Sequence, residues 1–209
     1  MLDGVDLDVE PGELVAVVGR SGSGKSTLLH LLGGLDHPDG GRVEVGGRAV
    51  TGASERELSA LRRDSIGFVF QFFHLLPELD GEANVLLPSR LPNAPKGTAE
   101  RGQVLIDRLG LRSVAGLAPH QLSGGEQQRF AIARALVADP LLVLADEPIG
   151  NLDAEAGATV LDLLRSMADE GRAVLMVTHQ AEATARADRV LRLEEGRLGV
   201  VTGSALAAQ

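Results

Sequence analysis

The sequence predicts an α/β fold built on a mainly parallel sheet, and three observations carry that prediction. Short apolar runs alternate with longer segments of helical period along the 209 residues. One run, Glu13 to Val18, opens directly into the glycine-rich stretch Gly19 to Gly24, and Leu28, Leu29, Leu32 and Leu35 then follow at helical spacing. Another, Leu141 to Ala145, ends on the adjacent carboxylates Asp146 and Glu147.

Each element follows in order. Val5, Leu7 and Val9 alternate with Asp6, Asp8 and Glu10, the pattern of a half-buried strand. Pro11-Gly12 turns the chain into the first apolar strand, and Gly33-Gly34 loosens the end of the helix after the glycine-rich stretch. Gly46-Gly47 marks a hairpin from Arg42 to Val50. Ser54 with Glu57 forms a capping-box pattern that opens a short helix to Arg63. An apolar strand from Ser65 to Phe70 leads into Gln71. From residue 72 to about 136, prolines interrupt an intermittent helical period, which predicts an inserted, mostly helical subdomain. Asp153 caps a helix from Ala154 to Ala168, Ala173 to Val177 is a buried strand, and Asp188 to Val201 reads as terminal strands. The whole chain reads as one domain carrying that insertion.

Composition excludes several function classes. The formal net charge is −9 and the pI near 5.0, which argues against a nucleic-acid binder needing a basic stripe. There is no Cys, so disulfides, thiolate catalysis and Cys-based zinc sites are out. Neither a signal-peptide pattern at the start nor an apolar run long enough to span a bilayer is present, so the expected compartment is cytoplasmic.

The stretch Gly19-Arg20-Ser21-Gly22-Ser23-Gly24-Lys25-Ser26-Thr27 fits a phosphate-binding loop between a strand and a helix. Glycines let consecutive backbone N–H groups cradle phosphate oxygens, and the helix N-terminus adds partial positive charge. Lys25 is placed to reach the β and γ phosphates and the Ser26 hydroxyl to ligate Mg²⁺. Acids at the end of a buried strand need a cation or hydrogen-bonding partners. Asp146 therefore reads as part of the Mg²⁺ shell, and Glu147 as the group that polarises an attacking water. Together these make a nucleoside triphosphatase with a P-loop core. Leu122-Ser123-Gly124-Gly125-Glu126-Gln127-Gln128 has two readings: Ser123 and Glu126 as another capping box, or the Ser123 hydroxyl and glycine amides as a second anion site.

With these segments in order, the chain resembles the ATP-binding subunits of ABC transporters. Gly19 to Thr27 is similar to the family's Walker A, Gln71 to its Q-loop glutamine, Leu122 to Gln128 to its signature, and Leu141 to Glu147 to its Walker B. Asn151-Leu152-Asp153 resembles the D-loop, and His179 the switch histidine. The resemblance implies a RecA-like core with an antiparallel part and the helical subdomain. It also implies ATP and Mg²⁺, the metal held by Ser26, Gln71 and Asp146, with Glu147 and His179 catalytic. Nucleotide contacts fall to Gly19, Ser21, Gly22, Ser23, Gly24, Lys25, Ser26, Thr27, Gln71 and Asp146, and from an opposing subunit to Ser123, Gly124, Gly125 and Glu126. Head-to-tail dimers sandwiching two ATP, an integral membrane permease as partner and a place on the inner face of the membrane follow from it.

The run from Phe68 to Pro77, with Asn84-Val85 and Pro88, is similar to the lipoprotein-releasing and macrolide-export branch, whose usual threonine-alanine step is here Asp80-Gly81. Four of the five phenylalanines, Phe68, Phe70, Phe72 and Phe73, flank Gln71. Phe68 and Phe70 share a strand face in the core, while Phe72 and Phe73 either extend that core or anchor the permease. The family's aromatic that stacks on adenine lies upstream of Val5. With no Tyr or Trp anywhere, either the start lies upstream or adenine is held without that contact, at a cost of about 0.5–1.5 kcal/mol. No regulatory domain is expected after Val201. Two other readings are an ABC-type ATPase of DNA repair or chromosome maintenance and a binding subunit without turnover. The absence of heptads between Lys25 and Asp146 opposes the first, and Glu147 with His179 the second.

Overall fold

The computed structural model describes residues 2–201, so the stretch after Val201 lies outside the described residues. Leu14–Val18 forms β1, buried at every position. It pairs in parallel on one side with β6 (Ala173–Val177) and on the other with β7 (Arg189–Glu194). β5 (Leu142–Asp146) joins β6, and β4 (Ile66–Phe70) joins β5, all parallel. β8 (Arg197–Val200) returns antiparallel to β7, giving the order β4-β5-β6-β1-β7-β8. The predicted hairpin forms as β2 (Glu44–Val45) and β3 (Arg48–Ala49), joined by Gly46-Gly47 with both glycines at positive φ.

Because side chains alternate across a strand, the sheet serves two apolar layers. Val15 and Val17 face α1 (Lys25–Leu32), α2 (Glu55–Ser65) and the hairpin, through Leu28, Leu29, Leu58, Leu61, Val45 and Val50. Leu14, Ala16 and Val18 face the opposite layer, which continues into Phe130 and Ile132 of α5 (Gly124–Leu136) and Val160 and Leu164 of α6 (Ala154–Asp169). Between β4 and α5 run α3 (Gly81–Leu86), α4 (Thr98–Arg108) and short 3₁₀ turns, with Val85, Ile106 and Leu111 in the same apolar layer. Ser54 and Glu57 close the anticipated capping box at α2, and Asp153 accepts a hydrogen bond from Ala156 N (2.8 Å) to cap α6. The one-turn α7 (Ala181–Thr184) follows β6.

One element departs from the sequence reading. Residues 5–9 alternate between half-buried and exposed as expected, and Val5, Leu7 and Val9 pack on the α1/α2 layer, yet they form no strand. No ladder partner faces them among the described residues. Isolated bonds hold the segment instead, Asp3 N to Gly196 O (2.8 Å) and Arg189 Nη2 to Asp8 O (2.5 Å).

Asp188 fixes the start of β1: its Oδ2 accepts from Leu14 N (2.8 Å) and from Arg165 Nη1 (2.6 Å). The Leu14 amide, then Arg165, hold its carboxyl below the ordinary Asp value of 3.8. A folded-state pKa below the unfolded one contributes stability that is present above 3.8 and lost as pH falls through the folded value. Asp188→Ala is therefore expected to cost about 1 kcal/mol at pH 7, the carboxylate being half exposed. Urea unfolding should show that difference shrinking as the pH is taken below 3.8.

Candidate functional site

The ends of four neighbouring strands build the site, at the carboxyl edge where parallel sheets present ligand-binding residues. Register aligns Phe70 with Asp146, Asp146 with Val177, and Val177 with Val17. One step further along each strand, Gln71, Glu147 and Thr178 leave the sheet side by side, and Gly19 and His179 follow. Parallel pairing thus gathers residues far apart in sequence.

The loop Gly19 to Gly24 carries β1 into α1. At Gly19 a β-carbon would sit 2.6 Å from Leu193 O and 2.7 Å from Ser23 Oγ, so no larger residue fits. Gly24 caps α1 at φ 103, which side-chain-bearing residues rarely adopt. Lys25 Nζ donates back across the loop to Gly19 O (2.8 Å) and Arg20 O (3.1 Å). The Ser23 hydroxyl is buried and meets no hydrogen-bond partner among the described residues. No acidic residue stands in the first turn of α1 to oppose an anion.

The Ser26 hydroxyl hydrogen-bonds the Asp146 carboxyl, which joins the loop to the end of β5. Burial nonetheless raises the Asp146 pKa, with the Glu147 charge adding to the rise, and the Ser26 bond and the His30 and Lys25 charges opposing it. A cation against Asp146 would relieve that burial. Glu147 sits at φ 44, a left-handed conformation that costs a non-glycine residue roughly 1–3 kcal/mol. Its N–H donates to Val177 O (3.0 Å) and its carbonyl accepts from Gly150 N (3.0 Å), which fixes the turn. The turn brings Oε1 to 2.8 Å from His179 Nδ1, while Oε2 accepts weakly from the His179 backbone N–H at 3.4 Å. Glu147 is largely covered and His179 largely open to solvent, so the histidine joins the carboxylate to the surface.

Gln71 meets the D-loop-like segment. Its Nε2 lies 3.5 Å from Asn151 Oδ1, its carbonyl accepts from Asn151 Nδ2 (3.0 Å), and its side chain packs on Gly150. The signature-like segment forms the capping box of its first reading. Ser123 Oγ accepts from Glu126 N (3.3 Å) and donates to Glu126 Oε2 (2.8 Å), and that oxygen also accepts from Ser123 N (2.8 Å). These bonds hold the Glu126 carboxyl below the usual carboxylate range. Ser123, Gly124 and Gly125 also line a cavity of about 270 Å³ with Asn151, Asp153 and Ala156. None of Gly19 to Thr27 lines it, so the structure does not bring the two glycine-rich segments together within one chain. Gly125 lets α5 meet α6, since a β-carbon there would stand 2.9 Å from Ala156 Cβ.

The phenylalanines divide. Phe68 and Phe70 stack, centroids 5.6 Å apart, half-buried on one face of β4. Phe72 projects at 69% exposure, whereas Phe73 turns toward Gly124. Two further side chains, neither singled out in the sequence, tie α5 to this region. Gln128, fully buried, donates to Pro148 O (2.6 Å), and Arg134 donates to Phe73 O (2.9 Å) and His74 O (2.6 Å). Their signal was a glutamine four positions before Ile132 and an arginine four positions after Phe130, polar residues at helical spacing with apolar ones.

The family model described as ABC transporter matches residues 2–150. The lipoprotein-releasing system ATP-binding protein LolD of Ruegeria pomeroyi is 50% identical over 95% of this chain and 88% of that protein. The chain belongs to the ABC transporter family. This cassette is also 48% identical to the macrolide export ATP-binding/permease protein MacB of Rhodospirillum rubrum and 46% to the pyoverdine export ATP-binding/permease protein PvdT of Pseudomonas entomophila. It spans only 30% of the length of either of those. LolD and MacB agree with the lipoprotein-releasing and macrolide-export branch. In fold, the cassette matches the dimeric, post-hydrolysis structure of the ATP-binding cassette MJ0796 bound to ADP and Pi, with a TM-score of 0.85 and 38% identity over 97% of this chain and 91% of the other. Among the described residues no helix is long and apolar enough to cross a membrane.

Proposed function

We propose that this chain binds and hydrolyses ATP as the motor of a transporter, working on the cytoplasmic face against a separate membrane permease of export or mechanotransmission type. Two copies would dock head to tail around two nucleotides, each pocket joining one copy's Gly19 to Thr27 to the other's Ser123, Gly124, Gly125 and Glu126. The observation that carries this reading is the separation of the two glycine-rich segments on one cassette: the cavity at Ser123 is lined by residues 123–125, 129, 151–153, 155, 156 and 159 and by nothing from the loop at Lys25. A head-to-tail second copy would bring the Ser123 segment of one chain against the Lys25 loop of the other.

Within each pocket, Ser21, Gly22, Ser23, Gly24, Lys25 and Thr27 hold the phosphates. The open side of the loop, its unpartnered Ser23 hydroxyl and an acid-free first turn suit a polyanion. Ser26, Asp146 and Gln71 would hold Mg²⁺, and a hydroxyl, a carboxylate and an amide oxygen are the hard donors that this ion takes. The metal, when bound, neutralises charge on the β and γ oxygens. Glu147 orients water and accepts its proton, and His179 holds the Glu147 carboxylate and reaches toward the γ-phosphate. Positioning and charge stabilisation supply most of the acceleration. We take residues 72 to about 136 as the helical subdomain of a single domain, and the acidic balance leaves no role for nucleic acid.

Turnover of ATP and Mg²⁺, measured alone and with the permease in vesicles, tests this; no phosphate release in either setting is the contrary result. Phe72 is the exposed apolar side chain beside Gln71, so the permease docks there. Phe72→Ala is expected to lower permease-stimulated turnover at least about fivefold more than permease-free turnover, roughly the effect of losing one aromatic anchor. Phe73→Ala, acting beside Gly124, should lower both together.

A further inference from the structure

The Gln71 loop is held from α5 at two places. Upstream, Gln128 Nε2 reaches Phe70 O loosely (3.4 Å) while its short bond goes to Pro148 O (2.6 Å), in the turn after Glu147. Downstream, the two terminal nitrogens of Arg134 fork onto consecutive carbonyls, Phe73 O at 2.9 Å and His74 O at 2.6 Å. These two side chains are six positions apart on one helix, a separation of about 9 Å. Only Gln71 and Phe72 lie between the held carbonyls, and they face opposite ways. Gln71 engages Asn151 and Gly150, and Phe72 projects outward.

The held segment is not one that the backbone would choose. Phe73 and His74 stand at φ 55 and 50, two successive left-handed residues that both carry β-carbons. Locally the turn has the Phe73 N bond to Phe70 O (3.3 Å), the His74 N bond to Phe72 O and the Phe70 and His74 rings 4.7 Å apart. Arg134 holds the two left-handed residues themselves from outside the turn. It has no carboxylate partner among the described residues, so its fork is given to these two carbonyls. Burial lowers its pKa below the ordinary arginine value, as expected of a guanidinium taken from water without a counter-ion.

We infer that Arg134 is a positioning residue: its fork onto Phe73 and His74 keeps Gln71 facing the nucleotide pocket and Phe72 facing the permease, and fixes both to the helix that begins at Ser123. This rests on the function proposed above for its catalytic consequences, though not for the clamp itself. Movement of Phe72 then cannot occur without moving α5 or breaking the fork.

Amide hydrogen exchange on the full chain tests the clamp without any need for ATP turnover. In Arg134→Ala the Phe73 and His74 amides should exchange at least about tenfold faster while β1, β5 and α6 keep their protection, and in Arg134→Lys, which can hold one carbonyl, the acceleration should be smaller. ATP affinity of the single chain, set by the loop at Lys25, should stay within about twofold, while kcat falls at least about tenfold in Arg134→Ala and recovers partly in Arg134→Lys. Unchanged exchange at residues 73 and 74 in a folded variant overturns the inference, as does acceleration spread evenly over the chain or a parallel loss of affinity and kcat. If Arg134→Ala does not fold, Arg134→Lys decides by the same exchange measurement. Faster local exchange in a chain that hydrolyses no ATP would leave the clamp standing and remove the motor reading.

Discussion

Replacing Glu147 by Gln is expected to lower turnover by about 10²–10⁴-fold, the range that a general base supplies, while leaving nucleotide affinity of the single chain within a few-fold. The side chain keeps its size at a position where the backbone is already fixed by Val177 O and Gly150 N. What it loses is the capacity to take a proton, and one acceptor for His179 at 2.8 Å. With hydrolysis blocked and residues 19–27 and 123–126 unaltered, the proposed dimer should accumulate. Size-exclusion chromatography or analytical ultracentrifugation with ATP and Mg²⁺ should show a species of twice the monomer mass, and ADP should not produce it. A variant that binds ATP and stays monomeric would sink the composite pocket.

The second large effect is expected at Ser123. Ser123→Arg places a long cation where a hydroxyl now caps α5, against Glu126, in the cavity shared with Asn151 and Asp153. Losing the cap alone costs about 1 kcal/mol. The larger consequence lies across the interface, because this residue touches no part of its own loop at Lys25. ATP should still bind the single chain with affinity within a few-fold of the unmodified protein. Turnover should fall by about 10³-fold, comparable to the loss of a transition-state contact supplied in trans, and the dimer that Glu147→Gln accumulates should vanish in the double variant. Equilibrium binding by a fluorescent nucleotide, read beside phosphate release, separates the two functions. A parallel loss of binding and turnover would place Ser123 in its own chain's pocket instead.

Much of this machinery was legible because its signals are local. A buried strand running into glycines, a pair of acids ending a strand, and Ser-x-x-Glu spacing at Ser54 and Ser123 each depend on a few consecutive residues, and the structure places all of them as read. Burial was easier to read than pairing: Val5, Leu7 and Val9 pack as their alternation says, but a strand needs a neighbour, and alternation says nothing of one. The directions of Phe72 and Phe73 were equally illegible, since they depend on positive φ at Phe73 and His74 enforced from a helix 60 residues on. Asp80-Gly81, a departure from the branch's usual step, has a physical account. Asp80 accepts from Ala83 N (2.7 Å) to cap α3, and a β-carbon at position 81 would stand 2.4 Å from Phe130 Cζ. Gln128 and Arg134 drew no reading from the sequence, because only the fold reveals which carbonyls they reach.

Consider finally the row formed by Phe70, Asp146, Val177 and Val17. Because each chemical group is counted off from that row, a single inserted or deleted residue within any of the four strands would shift its group by about 3.3 Å and send it to the other side of the sheet. Lengthening the Gly46-Gly47 connection, which hangs outside the row, would disturb none of them. The cassette is therefore expected to accept length changes at its periphery and refuse them along these four strands, a tolerance map that a library of single-codon insertions would draw directly.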